Sequence, residues 1–210
     1  MIVDCAIYRD GHRSERHQPA DFAGALDEAR AAGNAFLWIG LYEPTEDEFA
    51  LVTSEFGLHP LAVEDALSAH QRPKLETYDD SLFLVLKPVL YDDATSTVST
   101  GELMLFVGDS FVVTVRHGTT NPLSTVRERL ERDPEVLQHG PTAVMYAVSD
   151  AVVDDYMDVA AEAPRGPRRG SRRRSSHRRA RTASGSRSAS TPSSARCWSS
   201  AGRRVRWRSR

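Results

Sequence analysis

The chain has 210 residues, which suits one domain of ordinary size followed by an extension. Residues 1–162 carry 29 acidic and 11 basic side chains, whereas residues 163–210 carry 16 arginines and no acid. No run approaches the roughly 20 apolar residues that a membrane-spanning helix needs, and the acidic start argues against a signal peptide. Two distant cysteines, Cys5 and Cys197, exclude a disulfide scaffold and indicate a reducing compartment. As written, we expect the chain to be cytoplasmic and soluble.

The first half of the chain alternates strand and helix patterns. In chain order, the patterns predict a strand at 2–8, a helix at 20–32, a strand at 35–42, and helices at about 46–56 and 60–69. Thr45 and Glu48 form a capping-box pattern, which predicts the start of the helix at about 46–56. Gly57 ends that helix, and Pro60 suits the first turn of the next.

The second half begins at Ser81, where the spacing of the apolar residues changes to one typical of strands. The patterns predict a long strand at 81–91, strands at 101–107 and 110–116, a helix at 123–132 and a long helix at 142–162. Pro88 places the end of the long strand at a sheet edge, and Gly108-Asp109 predicts a hairpin turn. Together the two halves predict a mixed sheet flanked by helices over residues 1–162.

The composition changes abruptly at Pro164. Residues 163–210 are rich in arginine and serine and contain no Leu, Ile, Phe or Met. Because such a segment cannot bury enough apolar surface to offset the entropy of ordering, we expect it to be disordered. The bias is also typical of a GC-rich gene read out of frame, so we interpret the chain as truncated by a frameshift after about residue 162. A genuine basic tail is the alternative.

The most informative segment is Phe56–Lys74, FGLHPLAVEDALSAHQRPK. It resembles a signature of the CorA family of magnesium transporters, a Gly-x-His-Pro-Leu-x-x-Glu-Asp helix that runs into a Gln-Arg-Pro-Lys turn. The similarity continues at residues 86–87 and 111–115. It reaches the run at 150–156, which resembles the start of the family's stalk helix. It covers about residues 35–162.

The resemblance implies an α/β fold, an α/β/α sandwich with a mixed sheet in residues 1–140, and the start of a long stalk helix in 141–162. In intact relatives, five subunits surround one pore in the cell membrane, and magnesium bound between cytosolic domains holds it shut. This sequence has no Gly-Met-Asn pore motif and no pattern for the two membrane helices. We therefore expect a cytosolic, metal-sensing regulatory domain of a magnesium or cobalt transporter that cannot transport ions by itself.

Glu64 and Asp65 are the candidate metal ligands. By resemblance, Asp65 matches an acid of the family's regulatory site between subunits, and Glu64 lies beside it. Adjacent residues on a helix diverge by about 100°, so one carboxylate can face a partner subunit while the other faces its own chain. The remaining ligands would lie on the missing stalk, so we expect weak Mg²⁺ binding, with Co²⁺ as a second candidate ion. A solvated helix face is the alternative.

Asp154 is a weaker candidate ligand. With Asp150 and Asp158 it recurs every four residues, and Asp155 lies alongside. On a helix these acids form one mutually repelling stripe, which bound cations or a basic neighbour would relieve. An ordinary solvated face is again the alternative.

The arginine-rich segment supports a competing hypothesis from another class of protein. Sixteen guanidinium groups would bind nucleic acid non-specifically and with a steep salt dependence. The sequence has no Gly-x-Ser-x-Gly motif, no phosphate-binding loop and no Cys/His nucleophile pair, so it predicts no enzyme. His59, which precedes Pro60, is predicted to be a helix cap or packing residue.

Overall fold

Nine strands and six helices lie within residues 1–16, 21–118 and 123–162, which are the residues that the computed structural model describes. In chain order the elements are β1 (Ile2–Arg9), β2 (His12–Arg16), α1 (Phe22–Ala32), β3 (Ala35–Tyr42), α2 (Glu46–Phe56), α3 (Pro60–Ser68), β4 (Lys74–Tyr78), β5 (Ser81–Leu86), β6 (Val89–Asp92), β7 (Thr97–Thr100), β8 (Glu102–Val107), β9 (Phe111–His117), α4 (Leu123–Glu131), α5 (Pro134–Leu137) and α6 (Pro141–Glu162).

A mixed sheet organises these elements. In the described chain its order is β2-β1-β3-β9-β8-β5-β4. Strands β3 and β9 are parallel, with Trp38 opposite Val112, whereas the other neighbouring pairs are antiparallel. A parallel pair cannot be joined by a tight hairpin. The long connection from β3 to β9 therefore carries α2, α3 and the β4 edge strand.

Strand β3 is buried from Ala35 to Leu41. A strand that is buried on both sides needs a helical layer on each face of its sheet. On one face, Leu37 and Ile39 share a core with residues of α1, α2 and α3. On the other face, Trp38 packs with residues of α4, α5 and α6. The predicted α/β/α sandwich with a mixed sheet is confirmed.

The predicted boundaries of α2 are confirmed in atomic detail. The Thr45 hydroxyl oxygen accepts the N–H of Glu48 at 3.2 Å, and the Glu48 carboxylate accepts the N–H of Thr45 at 3.1 Å. The helix ends at Gly57, whose φ of 60° is left-handed, a conformation that glycine adopts without steric cost.

The single strand predicted at 81–91 is wrong. Strand β5 ends at Leu86, and the chain resumes after Pro88 as β6, which pairs with β7 in a separate two-stranded sheet. Proline has no N–H to donate to a ladder, so the main sheet cannot continue through it. The short strands β2 and β4 were not predicted, because their sequences, HRSER and KLETY, are largely polar.

The long helix predicted at 142–162 is confirmed by α6. None of the helices in the described ranges combines the length and the apolar character that a membrane crossing requires. The disorder and the frameshift origin predicted for residues 163–210 lie outside the described residues.

A partly buried ionic network joins β1 and β2 to α4. The Arg127 guanidinium lies 4.0 Å from the centre of the Trp38 ring and forms an ion pair with Asp4. Arg13 forms ion pairs with Asp4 at 2.9 Å and with Glu131 at 3.0 Å. Arg127 is only 8% exposed, so removing it empties a buried position against Trp38 and takes one of its guanidinium partners from the carboxylate of Asp4, which keeps Arg13.

We therefore expect Arg127→Ala to lower the free energy of unfolding by about 3 kcal/mol, measured by urea denaturation. Arg132→Ala is the matched control. The Arg132 side chain is 80% exposed and lies 3.5 Å from Glu128, so its removal is expected to change stability by less than about 0.5 kcal/mol. Equal losses from the two substitutions would contradict the role assigned to Arg127.

Candidate functional site

Helix α3 is fixed at its start by His59. The Nδ1 atom of His59 accepts the N–H of Leu61 at 3.3 Å, and its ring stacks on Tyr78 with centroids 4.2 Å apart. Pro60 occupies the first turn, where its missing N–H costs nothing. Both roles predicted for His59, cap and packing residue, are confirmed, and the contact with Tyr78 joins α3 to β4.

The two predicted acids of α3 have different surroundings. Ala62 and Ala66 are buried against the sheet, which sets the rotation of the helix. Glu64 is exposed, whereas Asp65 is partly buried and contacts β4. The two carboxylates therefore have separate environments, as expected for adjacent helical positions.

Asp65 is paired with a lysine. Its Oδ2 atom lies 2.6 Å from Nζ of Lys74, and the same Nζ lies 2.7 Å from Oε2 of Glu76. Desolvation lowers the pKa of Lys74, but its hydrogen bonds and charge interactions with Asp65 and Glu76 raise it overall. The hydrogen bond from Lys74 and that from Tyr78 hold the pKa of Glu76 below its usual value. One ammonium group thus compensates two carboxylates.

The sequence prediction missed Lys74 and Glu76 as parts of this site. Their signal is the alternation in KLETY, which puts positions 74, 76 and 78 on one face of a strand. Lys74 is assigned by sequence to the end of the Gln-Arg-Pro-Lys turn, and no element is predicted for residues 75–80, so this alternation is not used.

Asp154 lies on a separate acidic surface. It is exposed on α6, and Asp150 lies 3.7 Å from Arg129 on α4. Desolvation raises the pKa of Asp155, and the charges of Asp158 and Asp154 raise it further. Among residues 1–16, 21–118 and 123–162, no group of three or more His, Cys, Asp or Glu side chains is arranged to hold a metal ion.

The turn after α3 has an unusual backbone. Ala69 has φ 52° and ψ −170°, and His70 has φ 60°. Such conformations cost residues other than glycine about 1–3 kcal/mol each and require support from their surroundings.

A buried carboxylate supports this turn. One Glu102 oxygen accepts the N–H of Gln71 at 3.2 Å, and the other forms an ion pair with Lys87. The backbone of His70 also donates to Glu102. Beside it on β9, His117 donates its Nε2–H to the carbonyl oxygen of Ala66 at 2.8 Å, in the last turn of α3. The sheet therefore fixes both the end of α3 and the turn that follows it.

Residues 33–165 match the family model described as "CorA-like Mg2+ transporter protein". The chain therefore belongs to this family, and the predicted resemblance is confirmed. It is 38% identical over 125 residues to the "Putative metal ion transporter YfjQ" of Bacillus subtilis, covering 60% of this chain and 38% of that protein. It is 32% identical over 102 residues to the "Cobalt/magnesium transport protein CorA" of Thermotoga maritima, covering 48% and 29%. The chain thus spans less than half of either relative.

Solved structures show the same fold. The full-length CmaX protein superposes with a TM-score of 0.62 at 18% identity, over 76% of this chain and 47% of that one. The soluble domain of CorA from Methanocaldococcus jannaschii superposes with a TM-score of 0.57 at 14% identity, over 77% and 60%. The described fold is therefore that of a CorA-family N-terminal domain.

Glu102 provides a test of how the turn is held. Burial raises the pKa of Glu102, but the hydrogen bond from Lys87, the N–H of Gln71, the charge of Lys87 and the N–H of His70 together hold it below its usual 4.5. Because the folded-state pKa is lowered, the stabilisation is fully present above about pH 4.5 and is lost as the pH falls through the folded-state value. Glu102→Gln is expected to lower the free energy of unfolding by about 2 kcal/mol at pH 7, and by progressively less in acid.

The control is Glu28→Gln, which removes an exposed pair with Arg9 at 2.8 Å. This change is expected to cost less than about 0.5 kcal/mol. Urea denaturation between pH 3 and pH 7 measures both variants. A Glu102→Gln effect that is independent of pH would show that the ionised carboxylate does not hold the turn.

Proposed function

We propose that residues 1–162 form the cytosolic, metal-sensing domain of a CorA-like magnesium or cobalt transporter, and that Glu64 and Asp65 on α3 are its cation-responsive acids. The observation that carries this proposal is the contact of 2.6 Å between Asp65 and Lys74. Family membership and the names of the relatives in Bacillus and Thermotoga support the class of ion.

The proposed response is an exchange of cations at Asp65. In the structure, the ammonium group of Lys74 compensates this carboxylate, and Glu76 lies 2.7 Å from the same Nζ atom. Asp65 can therefore release Lys74 to Glu76 and accept a divalent cation in its place. The Asp65 side chain is 25% exposed, so the pair is weak enough to be exchanged without unfolding the site.

One subunit supplies only part of such a site. Mg²⁺ keeps much of its water and binds through one or two carboxylates, which Asp65 and Glu64 can provide. Further ligands would come from the stalk of a neighbouring subunit, as in the pentamer that the family resemblance implies. Binding by a single copy is therefore expected to be weak. The nucleic-acid hypothesis depends on residues 163–210, outside the described residues, and stays a prediction.

Titration of the full chain with MgCl₂, followed by melting temperature, tests the exchange. We expect a response in roughly the millimolar range that Asp65→Asn reduces, because a ligand that binds only the folded state stabilises it. Lys74→Met should lower the Mg²⁺ concentration at the midpoint of the titration by about two- to fivefold. This is the factor expected for removing an ion pair of this exposure that competes with the cation.

Asp27→Asn is the matched control, since Asp27 is 80% exposed on α1, 3.9 Å from Arg30. It should leave the titration unchanged. If Asp65→Asn responds to Mg²⁺ like the unaltered chain, Asp65 is an ordinary surface acid and the proposal is wrong.

A further inference from the structure

We propose that Glu102 is a positioning residue that couples α3 to α6 across the sheet, through Lys87 and Tyr156. The coupling consists of contacts within this chain. Its relevance to cation sensing rests on the proposed function of Glu64 and Asp65.

The first half of the connection lies in the α3 layer. Met104 and Phe106, which alternate with Glu102 along β8, belong to the core shared with α1, α2 and α3. Glu102 therefore faces this layer. Its carboxylate accepts the backbone N–H groups of His70 and Gln71, directly after Ala69 with its positive φ. This turn lies one helical turn beyond Asp65.

The second half passes through a single residue, Lys87. The ammonium group of Lys87 pairs with Glu102 in the α3 layer. The backbone carbonyl of the same residue accepts a hydrogen bond of 2.7 Å from the Tyr156 hydroxyl on α6. Lys87 follows the last residue of β5, so the position of its carbonyl is not fixed by a ladder of the main sheet. A displacement of Tyr156 therefore reaches Glu102 through the backbone and side chain of one residue.

The turn at Ala69 and His70 gives this connection an element that can change state. Its backbone is held in a costly conformation, and the Glu102 carboxylate accepts both N–H groups that follow Ala69. Moving the carboxylate releases the turn, and the end of α3 then loses one of the contacts that hold it to the sheet, beside that of His117 with Ala66. Coupling between two sites requires a shared element of this kind, whose equilibrium both sites bias.

Amide hydrogen exchange on the full chain tests the coupling. Tyr156→Phe removes the hydroxyl, which contacts neither His70 nor Gln71, yet it should speed exchange at both amides by about fivefold, the factor for one lost hydrogen bond. Tyr146→Phe, a second exposed tyrosine of α6, is the control and should leave both rates unchanged. If Glu102 only holds the turn locally, removing the Tyr156 hydroxyl would not alter exchange at His70 and Gln71. Unchanged rates in Tyr156→Phe would therefore overturn the proposal.

A magnesium titration followed by amide NMR separates this proposal from the proposed function. In the unaltered chain, MgCl₂ should shift the signals of Asp65 and Tyr156 with one common midpoint. In Glu102→Gln, the shift at Asp65 should persist while that at Tyr156 is lost; a retained Tyr156 shift would overturn the coupling. If Mg²⁺ does not shift Asp65 in the unaltered chain, the proposed function fails, and the exchange rates still decide the coupling.

Discussion

The structure depends on a central strand, β3, that is buried on both faces. Such a strand requires one helical layer on each side of the sheet, which α1–α3 and α4–α6 provide. Its parallel partner is β9, so the connection between them must be long. That connection supplies α3 and the edge strand β4. The pairing of Asp65 with Lys74 is thus a consequence of how the centre of the sheet is built.

Burial separates the ion pairs into two kinds. The pairs of Arg127 with Asp4 and of Lys87 with Glu102 each contain a side chain that is 9% exposed. Breaking such a pair leaves a buried charge, so these pairs act as fixed parts of the fold. Asp65 and Lys74 are both about one quarter exposed, and water compensates much of the loss when they separate. The proposed exchange site is therefore a weak pair held in a rigid frame.

The sequence allowed the elements with strong local signals to be predicted. The apolar run at Ala35–Tyr42, the capping box of Thr45 and Glu48, and the hairpin at Gly108-Asp109 all lie where expected. Strands β2 and β4 escaped prediction because only their pairing partners make them strands. The end of β5 before Pro88 was not predicted. The apolar pattern continues through Pro88, whereas the hydrogen-bond ladder of the main sheet does not.

The site could be predicted only as a set of candidate residues. The motif identified Glu64 and Asp65, but it could not show that Lys74 lies between Asp65 and Glu76, because that contact requires α3 to pack against β4. Glu102 had no local signal, since its partners are 31 positions upstream at Gln71 and 15 upstream at Lys87. Contacts between distant positions are decided by the tertiary fold, which one sequence does not display.

The proposed function depends on one event, the exchange at Asp65 of an internal ammonium group for a divalent cation. A crystal structure of the full chain grown with Mn²⁺, which favours the same oxygen ligands as Mg²⁺, tests it most directly through the anomalous signal of the metal. We expect an anomalous peak at the Asp65 carboxylate, with Nζ of Lys74 withdrawn from Asp65 and retained on Glu76. Manganese bound only elsewhere, with the contact between Asp65 and Lys74 still at 2.6 Å, would contradict it.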